Sequence, residues 1–190
     1  MKKFIKILLI VVLVFLILYF VLVKVVKIQD RVITLFYKKE YSEYVEKYSN
    51  QYDVDADLIY SIIKNESKYD AEAISICEAK GLMQIMDNTV KDIANGIDEL
   101  EYESIDIFDP ETNIHLGVDY LSSLLAKYGN VPLAIAAYNA GIGNVDKWIE
   151  SGIINKDGSN IENIPFKETN LYVRKVLRDY EIFNKMLVAK

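Results

Sequence analysis

The sequence predicts a mostly α protein, a compact multi-helix domain behind one N-terminal transmembrane helix. Three observations lead there. Apolar residues recur at helical steps in one segment after another beyond Val32, no run alternates with the period of two that a half-buried strand requires, and an unbroken apolar stretch fills Ile7 to Val23. A chain of 190 residues has room for one domain of ordinary size plus an extra segment, and no internal repeat divides it further.

The first 30 residues are expected to be the anchor and residues 31–190 the folded domain. Lys2, Lys3 and Lys6 precede the apolar run, and Lys24 and Lys27 follow it. Counting Phe4, Ile5, Val25 and Val26, with the flanking lysines snorkelling, residues 4–26 are long enough for a hydrocarbon core of about 30 Å. A cleaved signal peptide fits less well, because Val21 to Ile28 is bulky throughout and offers no small-x-small cleavage site. Three lysines in the short N-terminal tail place the N-terminus in the cytoplasm, so the expectation is a single-pass cell-membrane protein with its domain on the extracytoplasmic side.

Composition narrows the chemistry. The net charge of −6 and the lack of a basic stripe argue against a nucleic-acid partner. Cys77 is the single cysteine and His115 the single histidine, so no intrachain disulfide or cysteine zinc cluster can form. Nucleophile pairs that need a histidine would depend on His115, and no metal or other cofactor is expected.

Along the domain, Val32 to Tyr48 reads as an amphipathic first helix with Tyr41, Tyr44, Val45 and Tyr48 on its core face, and Ser49 to Val54 as a turn. Asp55 to Glu66 reads as a second helix, with Asp55 as N-cap, Asp57 at the positive end of the dipole, and Leu58, Ile59, Ile62 and Ile63 on one apolar face. That face continues to Glu66. Either Glu66 turns to solvent at the helix end, or it stays on the inward stripe, loses hydration and keeps its proton near neutral pH as a general acid does.

A less regular stretch, Ala71 to Lys80, leads to Gly81-Leu82-Met83-Gln84-Ile85-Met86, where the amide of Gln84 among apolar neighbours needs a defined partner, either backbone or a polar ligand. Cys77, between Ile76 and Glu78, is expected to pack. Asn88 to Ala94 suggests a short helix, and the acidic Asn95 to Asp109 a solvated loop whose spacing matches no EF-hand. Asp109-Pro110-Glu111 starts a long helix with Ile114, Gly117, Val118, Leu121, Leu124, Leu125 and Tyr128 inward, His115 at its edge and Gly129 at its end. Leu133 to Tyr138 forms the next helix. Its alanines permit close backbone approach, Gly141 ends it, and Tyr138 and Asn139 stand at its tip. Gly143 to Ile149 adds a short helix with Trp148, Ser151 to Pro165 is turn-rich, and Glu168 to Val188 is the last helix with Tyr172, Val173, Val176, Leu177, Tyr180 and Phe183 inward.

Four short signatures, in order, give the chain a resemblance to a known family: Glu66-Ser67; Gly81-Leu82-Met83-Gln84-Ile85; Ala137-Tyr138-Asn139-Ala140-Gly141; and Ile164-Pro165-Phe166-Lys167-Glu168-Thr169 leading to Tyr172-Val173. Together they resemble the soluble lytic transglycosylase (SLT) domain, grouped with the goose-type lysozyme-like enzymes, over roughly Tyr41 to Phe183. The resemblance implies a lysozyme-like helical fold. It also implies cleavage of the β-1,4 bond between N-acetylmuramic acid and N-acetylglucosamine of peptidoglycan strands, leaving 1,6-anhydromuramic acid ends. It assigns Glu66 the role of acid and then base, and lines the cleft with Ser67, Met83, Gln84, Tyr138, Asn139, Glu168 and Tyr172. Tyr138 would orient Glu66 or touch the reacting sugar, and Gln84 would bond sugar or peptide substituents. Gly81 would let backbone approach the substrate or the Glu66 helix. Ser67 and Met83 have alternative uses, as a cap and as packing. The chain departs from the family pattern at Ile76-Cys77-Glu78-Ala79-Lys80, where small residues are usual, and at Asp87, where a proline often stands. A hydrolytic muramidase and a non-catalytic peptidoglycan-binding or assembly protein are the alternatives, and loss of the acid would mark the latter.

Overall fold

The computed structural model describes residues 12–25, 36–94 and 105–188. The chain divides into two compact units, Met1–Lys39 and Glu40–Lys190. In the first, residues 12–25 are helical. Among the described residues no helix is long and apolar enough to cross a membrane. The rest of the expected anchor, residues 1–11 and 26–30, lies outside the described residues, as does most of the acidic loop, residues 95–104.

The second unit is built from helices α1 (Ser42–Tyr52), α2 (Ala56–Glu66), α3 (Asp87–Ala94), α4 (Pro110–Tyr128), α5 (Val131–Ala140), α6 (Ile142–Glu150) and α7 (Lys167–Val188), with a 3-10 turn at Ile161–Asn163 before α7. The described residues contain no strand, only isolated bridges pairing Ile74 with Lys80 and Lys80 with Ile85. The mostly α expectation therefore holds for the described domain.

Local chemistry sets the boundaries. Asp55 caps α2 by accepting from the Asp57 N–H at 2.8 Å, Asp109 caps α4 through the Thr112 N–H at 2.8 Å, and Asn130 caps α5 through the Leu133 N–H at 3.1 Å. Gly129, at φ +59°, ends α4 in the left-handed region. The expected first helix is corrected. Residues 32–35 lie outside the described residues, residues 37–41 are not helical, and the helix begins at Ser42, after Tyr41 at φ +57°. It also runs past Tyr48 to Tyr52, where Asp53 at φ +52° donates its N–H to Ser49 O and closes it. The turn into α2 is accordingly shorter than Ser49 to Val54.

α2 packs on α7, α1 on α4, and α5 lies against α4, α6 and α7. Leu133, Ala134, Ile135, Ala136 and Ala137 of α5 are at most 1% exposed. A helix that is apolar all round belongs in the centre of a domain, and its alanines let three neighbours close on it. Two carboxylates, Asp57 and Asp179, are buried with this core among the described residues. Asp179 of α7 is fully buried and takes Lys64 Nζ at 2.6 Å and Asn65 Nδ2 at 3.0 Å on one oxygen, and the Arg178 guanidinium at 2.8 and 3.0 Å on the other. Since Lys64 and Asn65 directly precede Glu66, this network fastens the end of α2 to α7.

Cys77 does not pack: it is exposed, and Ile76 beside it is fully solvated. The turn from Ser75 to Ala79 is closed by its own bonds, Ser75 N–H to Ala79 O at 2.9 Å and Glu78 N–H to Ser75 O at 3.0 Å, and these direct the tip outward.

Candidate active site

The inward face of α2 delivers the acid. Leu58, Ile59, Ile62 and Ile63 are at most 2% exposed, and Glu66, one turn beyond Ile62, is the last residue of the helix and half-buried. Across from it, the buried Tyr172 of α7 donates its hydroxyl to Glu66 Oε1 at 2.5 Å. Burial raises the Glu66 carboxyl from its ordinary 4.5 to about 7. The nearby charge of Glu168 adds to the rise, and the Tyr172 hydrogen bond opposes it. The group therefore exists as both acid and carboxylate near neutral pH. The phenols of Tyr138 and Tyr172 are raised well above their usual range, first by burial and then by the charge of Glu66, so both remain hydrogen-bond donors.

The Gly81-Leu82-Met83-Gln84 turn forms a second wall. Lys80 and Ile85 close it with two 3.0 Å backbone bonds, and Gly81 and Gln84 take φ of +75° and +50°. The Gln84 amide resolves to backbone, Nε2 donating to Ala73 O at 3.0 Å and Gly81 O at 2.9 Å. Met83 is fully buried, and its carbonyl accepts the Tyr138 hydroxyl at 2.8 Å. Ser67 is buried as well, its hydroxyl donating to Ile63 O at 3.2 Å and accepting from the Tyr69 N–H at 3.1 Å. The side chains of Ser67 and Met83 thus serve as cap and packing. Asn139 is half-buried on the last turn of α5, and Glu168 is exposed in the first turn of α7.

Gly81 is needed for a close approach to α4. A Cβ there would meet the Asn113 side chain, 2.7 Å from its Cγ, and Ile107 O at 2.9 Å, so the close approach is to α4 and the segment before it. Asn113 is the residue the sequence reading missed. It is fully buried, with Oδ1 accepting from the Met83 N–H at 2.7 Å and Nδ2 donating to Ile107 O at 2.9 Å and Lys80 O at 3.1 Å. Its signal was a polar residue one turn before Gly117, on the inward stripe of α4. His115, at the expected edge, stacks on Tyr48 at 4.3 Å and bonds the Tyr52 hydroxyl through Nε2 at 2.7 Å.

The family model for the transglycosylase SLT domain matches residues 43–159. The chain belongs to the SLT domain family. Among curated relatives it is 34% identical over 140 residues to the soluble lytic murein transglycosylase of Escherichia coli, covering 72% of this chain and 22% of that protein. It is 34% identical over 163 residues to the membrane-bound lytic murein transglycosylase C of Edwardsiella ictaluri, covering 72% of this chain and 44% of that protein. Among solved structures, an inactive mutant of the lytic transglycosylase Slt from Pseudomonas aeruginosa superimposes with a TM-score of 0.73 at 32% identity, over 83% of this chain and 26% of that one. The chain thus spans about a quarter of the length of the soluble relatives it matches. Its domain shares their lysozyme-like fold.

A concavity of about 380 Å³ lies elsewhere, lined by Lys127, Leu133, Asp146, Ile149, Glu150 and Lys156 among others, and includes none of these site residues. The carboxyl at the end of α2, not the volume of a cavity, is what marks the candidate site.

Proposed function

We propose that this chain is a peptidoglycan lytic transglycosylase in which Glu66 acts first as acid and then as base. The observation that carries this reading is a carboxyl raised to about 7 and held by Tyr172 at 2.5 Å, in a chain of the SLT family. Protonated Glu66 gives its proton to the glycosidic oxygen between N-acetylmuramic acid and N-acetylglucosamine as the C1–O bond breaks, and C1 becomes oxocarbenium-like. The carboxylate left behind then takes the proton of the muramic acid C6 hydroxyl, and that oxygen closes on C1 as a 1,6-anhydro ring. The nucleophile belongs to the substrate, so effective concentration replaces a bound water and one carboxyl serves both steps. Tyr172 fixes the carboxyl and stabilises its charged form between the steps. In this reading Glu168, Asn139 and the Gln84 turn meet the strand, supported by the exposure of Glu168 in the first turn of α7 and the partial exposure of Asn139 at the end of α5.

The same reading takes residues 4–26 as a single-pass membrane anchor, with the N-terminus cytoplasmic and the domain, residues 31–190, outside. It is supported by the unbroken apolar run Ile7 to Val23 and by Lys2, Lys3 and Lys6 before it.

Incubation of the full chain in mild detergent with purified peptidoglycan, followed by mass spectrometry, tests the activity. Products lighter than reducing-end fragments by one water, and absent with Glu66→Gln, are expected. Reducing-end products would make the protein a muramidase, and release that persists in Glu66→Gln would remove Glu66 from the acid role.

A further inference from the structure

Around Met83, the Gly81–Gln84 turn is tied by a set of backbone bonds that begins with the Gly81 N–H on Ala73 O at 2.9 Å. The Gln84 N–H bonds Gly81 O at 3.2 Å, and Lys80 and Ile85 bond each other. The Met83 N–H and C=O point in two other directions, the first to Asn113 Oδ1 at 2.7 Å and the second to the Tyr138 hydroxyl at 2.8 Å. Asn113 holds this point firmly because its own amide is fixed by Lys80 O and Ile107 O, and because it is fully buried, where an amide rarely leaves its bonds unmade. One turn along α4, Gly117 leaves room for the Met83 side chain: a Cβ there would stand 2.8 Å from Met83 Cβ and overlap its sulfur. α4 therefore receives Met83 twice, through an amide that fits its backbone and through a missing side chain.

Resting on the functional reading above, we propose that Asn113 is a positioning residue for the reaction: by holding Met83 it sets where the Tyr138 hydroxyl stands beside Glu66. Tyr138 projects from the end of α5, its ring lies 5.4 Å from that of Tyr120, and its hydroxyl is anchored at Met83 O. The charge of Glu66 reaches that phenol. A shift of the turn therefore acts on the tyrosine, whereas Glu66 is held separately by Tyr172 of α7.

Four full-length proteins test this: wild type, Asn113→Ala, Tyr138→Phe and the double variant, each assayed for kcat and KM of muropeptide release. Asn113→Ala is expected to lower kcat about tenfold, since sub-ångström misplacement of a reacting group is enough for such losses, with a smaller change in KM. In the Tyr138→Phe background the same substitution should cost less than about twofold, because the hydroxyl it positions is gone. Additive effects, or a folded Asn113→Ala with wild-type kcat, would overturn the proposal. Amide hydrogen exchange at Met83 gives a readout that needs no activity and no variant. Strong protection in the wild type is expected and rapid exchange refutes the link, even if the wild type releases no muropeptides and the functional reading itself fails. Should Asn113→Ala not fold, Asn113→Asp, which keeps the acceptor for Met83 and loses the two donations, takes its place in the cycle with the same expected non-additivity.

Discussion

Replacing Tyr172 with Phe removes one hydroxyl from the site and leaves the ring that packs α7. In the wild type this hydroxyl donates to Glu66 Oε1 at 2.5 Å and lowers the proton affinity that burial raises to about 7. A hydrogen bond to a charged group contributes about 1.5–3 kcal/mol, and about 1.4 kcal/mol corresponds to one pH unit in a titration midpoint. Glu66 in Tyr172→Phe should therefore titrate about one to two pH units higher. If the first step uses protonated Glu66 as proposed, kcat/KM of the wild type should fall as pH rises through about 7, and this alkaline limb should move up in the variant. The maximal rate should fall as well, because the charged carboxylate of the second step loses its donor. The assay is the rate of anhydromuropeptide release from purified peptidoglycan between pH 5 and pH 9, in constant ionic strength. An alkaline limb that stays in place or moves down would refute the assignment of Tyr172 as the donor that tunes Glu66.

Other consequences can be measured without substrate. The folded-state pKa of Glu66 is raised above its ordinary 4.5, so the folded protein binds more protons between 4.5 and 7 and loses stability as pH rises through that window. Glu66→Gln should therefore be about 3 kcal/mol more stable than wild type at pH 8 and close to it at pH 4.5, read from denaturant melts at both pH values. Gly81→Ala should cost about 2–4 kcal/mol, since φ is +75° and the added carbon would overlap the Asn113 amide, and urea unfolding would show it. Asp179→Ala strips three donors of a fully buried acceptor and should cost about 3 kcal/mol by the same measurement. A wild-type midpoint in either variant would contradict the packing described.

The acid was legible because a helix repeats: Ile62, Ile63 and Glu66 lie on one stripe whatever surrounds them, and Asp55 and Ser67 bound the helix by local bonds. The Asp109 cap of α4 and the glycine stops of α4 and α5 were legible because they too are local, whereas the Asn130 cap of α5 was not read. What escaped was decided by partners distant in sequence. Gln84 could have faced a ligand or backbone, and only the fold of the turn back on Ala73 commits its amide. Asn113 and Asp179 look like ordinary polar helix residues until Met83 and Lys64 arrive, thirty and more than a hundred positions away. Tyr41 as an interruption and Cys77 as a solvated tip depend on positive φ values at Tyr41 and Glu78 that side-chain periodicity does not encode.

The central α5 helix also says where this protein can vary. Its middle is closed on by three helices through alanines, so any larger side chain there acts as a wedge, and Tyr138 rides at the end of the element that would be displaced. Ile76, Phe166 and Leu171, by contrast, stand at the surface, where a change of side chain meets solvent and not the rod. The interior is then fixed while the surface is free to drift, and a library built on this domain should vary exposed positions and leave the alanines alone.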